Sequence, residues 1–515
     1  MQQQDLRTDS KITRKELVVL IIFATVTITF VSTSSPLYPF NPWDDANCFF
    51  TLGRGIIHGR VPYRDLYEQK GPLLYFLYAF AAVISEKSFT GAWIIECVAA
   101  SVYSVYSWKI IKLLTGASGH LITVVPLLTG IIYTSKLFNF GGNAEELCFP
   151  LITIALYFGL KAVIEGDCLP SGKEALFTGI ITGALFWIKY TFTGFTLGFI
   201  VFILIVAVRN KAFKKLWSLV WRFLLGFAAV SAPILLYFLV NRALGALWEA
   251  YFYNNIFLYY NGIKTYGIAS IPLIRNLYFP ARGFFNIAMI YKAYGVMLLL
   301  TLSSLFFINK KYRLKVILFS VITFVPLACL TFSRAAFIYY YGYIFAYGFC
   351  MGTIPLVKLI IWIENKAKTK KDLITKFTAA TLVILSMLSV ALSKNTYLMF
   401  KPKSFLNQFR IAETINQTPE AKILTYKVMD SGFFTAAGLL PVNRFYCFLN
   451  LESFYPAISE EQHRLIEEGY FDYIVTSYFC EEEWDNYELV QVETYLFVDF
   501  TGEPILDGHK LYKRV

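Results

Sequence analysis

Long apolar runs alternate with short polar links over residues 1–393 of this chain. Several runs reach the ~20 residues that an α-helix needs to cross a bilayer. Lysine and arginine gather in every second link, which is typical of the cytoplasmic side of a membrane protein. The pattern predicts an α-helical polytopic membrane protein with a cytoplasmic N-terminus and about eleven transmembrane helices. The predicted spans are residues 17–31, 92–113, 121–138, 147–164, 175–189, 192–208, 216–240, 286–308, 316–332, 336–362 and 377–393.

Two stretches of this region do not fit a simple crossing. Residues 72–85 are apolar but too few for a span, so we expect a re-entrant or interfacial helix there. Residues 241–285 are long, aromatic and poor in lysine, which is typical of an external loop with interfacial helices.

From residue 394 onward polar residues return and the periodicity changes. Strand-like runs at residues 422–426, 473–476 and 489–498 alternate with helical patterns such as residues 460–468. We therefore predict two domains, a transmembrane domain over residues 1–393 and a small α/β domain over residues 394–515. The order of the spans places this C-terminal domain outside the cytoplasm.

The first external loop, residues 34–91, contains a predicted amphipathic helix at residues 44–58. Such a helix lies on the membrane surface with its apolar side down and its polar side to water. Asp44 is placed to cap it, and Asp45 falls in its first turn, where the helix dipole favours a carboxylate. Either both acids only cap the helix, or Asp45 serves as a base or a metal ligand. The polar side carries Asn47, Thr51, Arg54 and His58.

Other ionisable residues stand at the predicted outer face. Glu145 and Glu146 begin a span after the flexible Gly141-Gly142-Asn143, and Lys189 joins two spans almost without a loop. Ionisable groups at membrane depth indicate function, yet the glutamates also suit an ordinary helix start and the lysine also suits snorkelling. Arg282 and Arg334 are further candidates for phosphate contacts, with interfacial anchoring as the alternative.

The composition removes several function classes. The net charge of +12 arises mainly from lysines in the links between spans, so nucleic-acid binding is not indicated. Eight cysteines without paired C-x-x-C spacing and four histidines indicate neither a zinc ribbon nor a disulfide framework. In the C-terminal domain, Cys447 and Cys480 either form a disulfide or remain free and buried.

Four sequence stretches carry a family resemblance: WDDANCFF at residues 43–50, GRVPYRDLYEQKGPLLY at 59–75, GNAEEL at 142–147 and IKY at 188–190. With the many spans and the external tail, they resemble the GT-C superfamily of membrane glycosyltransferases. The chain looks closest to the protein O-mannosyltransferase-like branch, which includes bacterial lipid A aminoarabinose transferases. The resemblance is dense over residues 41–195 and architectural beyond, although DSGFFTAAGLLPVNRF is similar to the external tails of bacterial members.

The resemblance implies roles for particular residues. In the family an acidic residue of the first external loop is the catalytic carboxylate, which maps onto Asp45, with Asp44 as the second choice. EQKGP stands where many bacterial relatives have an aspartate–histidine–lysine–glycine–proline run, so the chain departs at Glu68 and Gln69 and keeps Lys70.

The resemblance also implies the substrates and the location. The donor is a polyprenyl-phosphate sugar, and the sugar passes with inversion to an extracytoplasmic acceptor in the cell envelope, a glycan, lipid or protein. We expect a multi-pass protein of the plasma membrane. The predicted substrate-binding residues are Glu145, Glu146, Lys189, Lys70, Arg54, Arg282 and Arg334. No cofactor is certain, although some superfamily members use a divalent metal, for which Asp45, Glu145 and Glu146 would supply oxygen ligands.

Two other function classes fit parts of the pattern. A lipid-linked polysaccharide flippase, polymerase or transporter would also have many spans, but transporters place ionisable residues near the midplane and often have matching halves. A non-catalytic surface receptor would concentrate its informative residues in the tail, whereas here they lie in the first loops. The sequence favours glycosyl transfer over both.

Overall fold

The computed structural model of the protein describes residues 11–117, 119–259, 271–290, 292–331, 338–366, 371–498 and 504–515. Helices make up the part before the C-terminal domain. The first nine are α1 (Arg14–Val31), α2 (Asp44–Ile57), α3 (Pro72–Ile84), α4 (Thr90–Thr115), α5 (Val124–Tyr133), α6 (Ala144–Glu165), α7 (Gly172–Lys189), α8 (Gly194–Arg209) and α9 (Phe213–Val240).

A short helix α10 (Leu244–Leu247) leads into a π-helix (Trp248–Tyr259). The membrane domain continues with α11 (Pro272–Ile290), α12 (Lys292–Phe307), α13 (Lys310–Thr331), α14 (Ile344–Gly352), α15 (Ile354–Lys366) and α16 (Lys371–Ala391). Short 3₁₀ segments lie at Gly119–Thr123, Tyr190–Thr193, Ile338–Tyr343, Lys394–Leu398, Lys403–Phe405 and Glu452–Phe454.

Six helical segments among the described residues are long and apolar enough to cross a membrane. They are Thr90–Thr115, Ala144–Glu165, Gly172–Arg209, Phe213–Val240, Lys310–Thr331 and Lys371–Ala391. The segment Gly172–Arg209 consists of α7, the 3₁₀ segment Tyr190–Thr193 and α8, and α7 ends where the backbone of Lys189 is extended, with φ −156° and ψ 95°. The predicted polytopic helical architecture is confirmed, while the number of about eleven spans stays a prediction.

Several predicted spans differ in detail from the helices. The span predicted at residues 121–138 is a 3₁₀ turn followed by the ten-residue α5. The span at 336–362 is divided into a 3₁₀ segment, α14 and α15. The external loop predicted at 241–285 includes most of α11, a 19-residue helix. The first two changes shorten or interrupt an apolar run whose composition alone does not reveal the break.

The C-terminal domain is a four-stranded sheet with helices. Its strands are β1 (Ile423–Tyr426), β2 (Tyr473–Ser477), β3 (Tyr487–Val498) and β4 (Pro504–Arg514), in the order β1-β2-β4-β3. Strands β1 and β2 are parallel, and the other pairs are antiparallel. Its helices are α17 (Asn407–Ile415), α18 (Phe433–Ala437) and α19 (Ala457–Glu467). The predicted α/β character is confirmed, although strand β4 was not predicted.

Helix α2 lies between the membrane domain and the C-terminal domain. Its apolar side packs on α3 so closely that a Cβ on Gly53 would come within 2.4 Å of the backbone of Tyr78. Its polar residues Asn47, Thr51 and Arg54 are buried as well, because the C-terminal domain covers them. The prediction of a polar side facing water is therefore wrong, and of that side only the end near His58 is exposed.

Candidate active site

Asp45 lies in the first turn of α2 and is 7% exposed. Four charged groups act on its carboxylate: Lys70, Glu145, Glu68 and Lys189. They come from the loop before α3, the start of α6 and the end of α7. Burial raises the pKa of Asp45 above its usual value, the two lysines oppose that shift, and the two glutamates add to it.

Lys70 is held on one side of Asp45 by its own loop. Its ammonium group lies 3.7 Å from the Glu68 carboxylate, which also accepts hydrogen bonds from the Lys70 backbone N–H at 2.7 Å and from the Tyr75 hydroxyl. Burial alone would lower the pKa of Lys70, but the carboxylates of Glu68 and Asp45 raise it well above the usual value. Lys70 is therefore a half-buried side chain whose charged form is favoured by two neighbouring carboxylates.

Lys189 lies beside the same carboxylate from the end of α7. It forms an ion pair with Glu145, and its ammonium nitrogen is 3.8 Å from the centre of the Tyr340 ring. The other carboxylate oxygen of Glu145 is buried without a hydrogen-bond partner. The Tyr339 ring packs on the Trp43 ring, with 5.7 Å between the ring centres. Burial raises the pKa of the Tyr339 hydroxyl, and the negative charges of Asp45 and Glu145 also raise it. Aromatic rings thus line the side of the site where Lys189 lies.

The arrangement brings together one carboxylate and two cations that are each already paired with another acid. Lys70 pairs with Glu68 and Lys189 pairs with Glu145, so each lysine has an ion-pair partner other than Asp45. Two fixed cations beside a carboxylate of raised pKa suit proton removal next to a departing anion.

Asp44 occupies a different environment from Asp45. The helix cap is Trp43, without a side-chain hydrogen bond, so the prediction that Asp44 caps α2 is wrong. Asp44 lies in the first turn and accepts a hydrogen bond from the Ser431 hydroxyl of the C-terminal domain at 2.6 Å. Burial raises the pKa of Asp44 to about 6, and nearby Asp45 and Asp430 add to the shift.

Of the other predicted site residues, Glu146, Arg54 and Arg282 do not join this group. Glu146 accepts a hydrogen bond from the Gly142 N–H at 3.0 Å. Arg54 donates to the Thr435 hydroxyl at 3.5 Å, beneath the C-terminal domain. Arg282 is exposed on α11, and Arg334 lies outside the described residues.

A metal held by Asp45, Glu145 and Glu146 stays a prediction. Within the part of the chain that the structure describes, no three His, Cys, Asp or Glu side chains are grouped so that they fit a metal ion. Glu145 is instead occupied by Lys189. The described donor groups therefore do not form a ready divalent-cation site.

Sequence reasoning missed several residues near Asp45. Glu68 was noted only as a departure from the family pattern, yet its carboxylate holds Lys70. Tyr339 and Tyr340 lie in the aromatic run at residues 337–343, whose density was the available signal. The reason for the miss is distance, since nearly 150 residues separate this run from Lys189 along the chain.

Comparison with known proteins gives one family match and two similar solved structures of one protein. Residues 69–252 match the family described as dolichyl-phosphate-mannose-protein mannosyltransferase. A crystal structure of ArnT from Cupriavidus metallidurans bound to undecaprenyl phosphate has a TM-score of 0.57 at 10% identity, covering 98% of this chain and 99% of that chain. The apo structure of the same protein also gives 0.57, at 11% identity, covering 96% and 97%.

A search of curated proteins gives no match to the chain. The family segment includes Lys70, Glu145 and Lys189, while Asp45 lies before it. In sequence over residues 69–252 this chain is similar to the dolichyl-phosphate-mannose-protein mannosyltransferase family, and in fold over nearly its whole length it is similar to ArnT, which confirms the predicted resemblance.

Proposed function

We propose that this protein is a membrane glycosyltransferase that moves a sugar from a polyprenyl-phosphate donor to an extracytoplasmic acceptor. The mannosyltransferase family match over residues 69–252 supports glycosyl transfer. The similar fold of an ArnT that binds undecaprenyl phosphate supports a lipid-linked donor. We propose a hexose or a pentose as the donor sugar. We propose a glycan, a lipid or a protein as the acceptor.

The observation that carries the mechanism is the buried Asp45 carboxylate beside two lysines from separate segments, the loop before α3 and the end of α7. Asp45 removes the proton from the acceptor hydroxyl, whose oxygen attacks the anomeric carbon of the sugar. The bond from that carbon to the phosphate oxygen breaks, and polyprenyl phosphate leaves with the bonding electrons. A single displacement inverts the anomeric carbon.

The raised pKa of Asp45 suits this role because a general base works best when its pKa is near the operating pH. Lys70 and Lys189 face the charge that develops on the departing phosphate. Fixed cations in a site shielded from water stabilise such charge strongly. Glu68 and Glu145 hold these lysines in place before the donor arrives.

The one-sided basic links support a location in the plasma membrane, with the N-terminus in the cytoplasm and the C-terminal domain outside. Asp45 is then at the outer surface, level with the phosphate of a membrane-embedded donor. An extracytoplasmic acceptor reaches it without crossing the membrane.

The test is transfer by purified full-length protein in nanodiscs. A polyprenyl-phosphate sugar is supplied with envelope lipids, glycans or proteins as acceptors, and free polyprenyl phosphate and glycosylated product are measured together. The proposal expects the two to appear in equal amounts. Sugar that stays on its lipid in every mixture while the lipid changes leaflet would support a flippase or transporter and contradict the proposal.

A further inference from the structure

A turn of the C-terminal domain, residues Asp430, Ser431 and Gly432, contacts α2 directly; we name it the docking turn. One Asp430 oxygen accepts a hydrogen bond from the Thr51 hydroxyl at 2.5 Å, and the other accepts from the Gly432 N–H at 2.9 Å. The Ser431 hydroxyl donates to Asp44 at 2.6 Å. Asp430 and Thr51 are fully buried, so both hydrogen bonds of Asp430 are shielded from water.

The docking turn approaches α2 so closely that only glycine fits at its end. Gly432 has φ +96°, and a Cβ there would lie 2.4 Å from the Phe40 ring and 2.8 Å from the Asn47 amide oxygen. Gly438, at the other end of α18, also has a positive φ of +73°, but a Cβ there meets nothing within 4 Å. Both glycines have a left-handed backbone that favours glycine, but of the two only Gly432 lies against Phe40 and α2.

A second contact holds the loop that carries Lys70. The Arg444 side chain donates from Nε to the Tyr63 carbonyl at 2.8 Å, and the Arg444 carbonyl accepts from the Tyr67 N–H at 2.9 Å. Its guanidinium group also lies 3.2 Å from Glu249 of the π-helix. The C-terminal domain therefore contacts the two segments that bring Asp45 and Lys70 to the site.

We propose that the C-terminal domain is a positioning element of the transfer site, in which the docking turn fixes α2 and thereby Asp45, while Arg444 fixes the Lys70 loop. This inference rests on the proposed function. The domain acts without contacting the reacting atoms, because these hydrogen bonds are made to Asp44, to Thr51 and to the backbone of the Lys70 loop. Asp430, Ser431 and Arg444 are thus positioning residues.

The test compares Gly432→Ala with Gly438→Ala in full-length protein in nanodiscs. Both substitutions strain a left-handed backbone, but only the first pushes the docking turn from α2. Gly432→Ala should lower kcat about 10- to 100-fold, as displacements near 1 Å do, with the donor KM within about twofold. Gly438→Ala should keep wild-type kcat. Equal kcat for the two would overturn the proposal.

Ser431 provides a milder variant in case Gly432→Ala does not fold. Ser431→Ala removes the hydroxyl that contacts Asp44, and Ser431→Thr retains it. The alanine variant should lower kcat several-fold and the threonine variant should restore it. Unchanged kcat in a folded Ser431→Ala protein would contradict the positioning role.

A readout independent of transfer is the reactivity of Cys48, which is 1% exposed on α2. Maleimide labelling mapped by mass spectrometry should be faster in Gly432→Ala than in Gly438→Ala. Unchanged labelling in Gly432→Ala would show that the domain does not hold α2. A wild-type protein that transfers no sugar would contradict the proposed function instead, so the two failures are distinguishable.

Discussion

Replacing Lys189 with methionine separates two roles that the structure gives this residue. Its side chain is 13% exposed, and its partner Glu145 is 4% exposed. Methionine keeps the length and apolar stem of the lysine but removes the charge. Glu145 then remains as a buried carboxylate without its ion-pair partner, and its second oxygen already has no hydrogen bond.

The size of each effect follows from this environment. Removing one partner of a buried ion pair costs about 3–5 kcal/mol of folding stability. Replacing both partners, as in Lys189→Met with Glu145→Gln, removes the unpaired charge and should recover most of that loss. A lost hydrogen bond to a donor phosphate costs about 1.5–3 kcal/mol, which raises the donor KM about 10- to 150-fold.

The assays are thermal unfolding and transfer kinetics in nanodiscs. Lys189→Met should lower both stability and donor use. The double variant should regain stability while its donor KM stays high. If the double variant regains both, Lys189 serves only to neutralise Glu145, and the phosphate role is refuted.

Three further predictions test packing, pH dependence and orientation. Gly53→Ala should destabilise the protein by about 1–3 kcal/mol in thermal unfolding, because its Cβ would overlap the backbone of α3, whereas Gly245→Ala, with nothing within 4 Å, should change little. Burial lowers the pKa of His509 from 6.5 to about 4, so between these two pH values the folded state binds fewer protons than the unfolded chain. Stability should therefore fall as the pH drops from about 6.5 to about 4, and His509→Gln should lose less over the same range in pH-dependent unfolding. A membrane-impermeant maleimide added to cells should label a cysteine placed at exposed Glu468 but not one placed at exposed Lys366; the reverse pattern would contradict the orientation.

Much of the fold could be predicted from the sequence, because an apolar run of span length forms few structures other than a transmembrane helix. Helices α4, α6, α9 and α16 coincide closely with predicted spans. The three strands β1, β2 and β3 also fall where alternating residues predicted them. Strand β4 was missed because Asp507, Gly508 and His509 interrupt its apolar pattern, and long-range pairing with β2 and β3 stabilises it instead.

The environment of α2 could not be predicted from the local sequence pattern. An amphipathic helix has the same periodicity whether its polar side meets water or a polar protein surface. Thr51 therefore gave no sign that its partner would be Asp430, 379 residues further along the chain. Likewise, Glu145 and Glu146 are adjacent in sequence, and only the fold shows that Glu145 pairs with Lys189 while Glu146 binds the Gly142 backbone.

The free cysteines show the same limit. The alternatives for Cys447 and Cys480 were a disulfide or two free buried thiols, and in the structure both are free and buried. Sequence spacing carries no information on the distance between two thiols in the fold.

The most direct test of the account is sugar transfer by Asp45→Asn beside Asp44→Asn. Asparagine keeps the shape of the side chain but cannot accept the proton, so Asp45→Asn should lose base catalysis worth roughly 10²–10⁴ in rate, or about 3–5 kcal/mol of barrier. Asp44→Asn should cost far less, because its amide oxygen can still accept from Ser431. A folded Asp45→Asn protein that transfers sugar at the wild-type rate would contradict the assignment of Asp45 as the base.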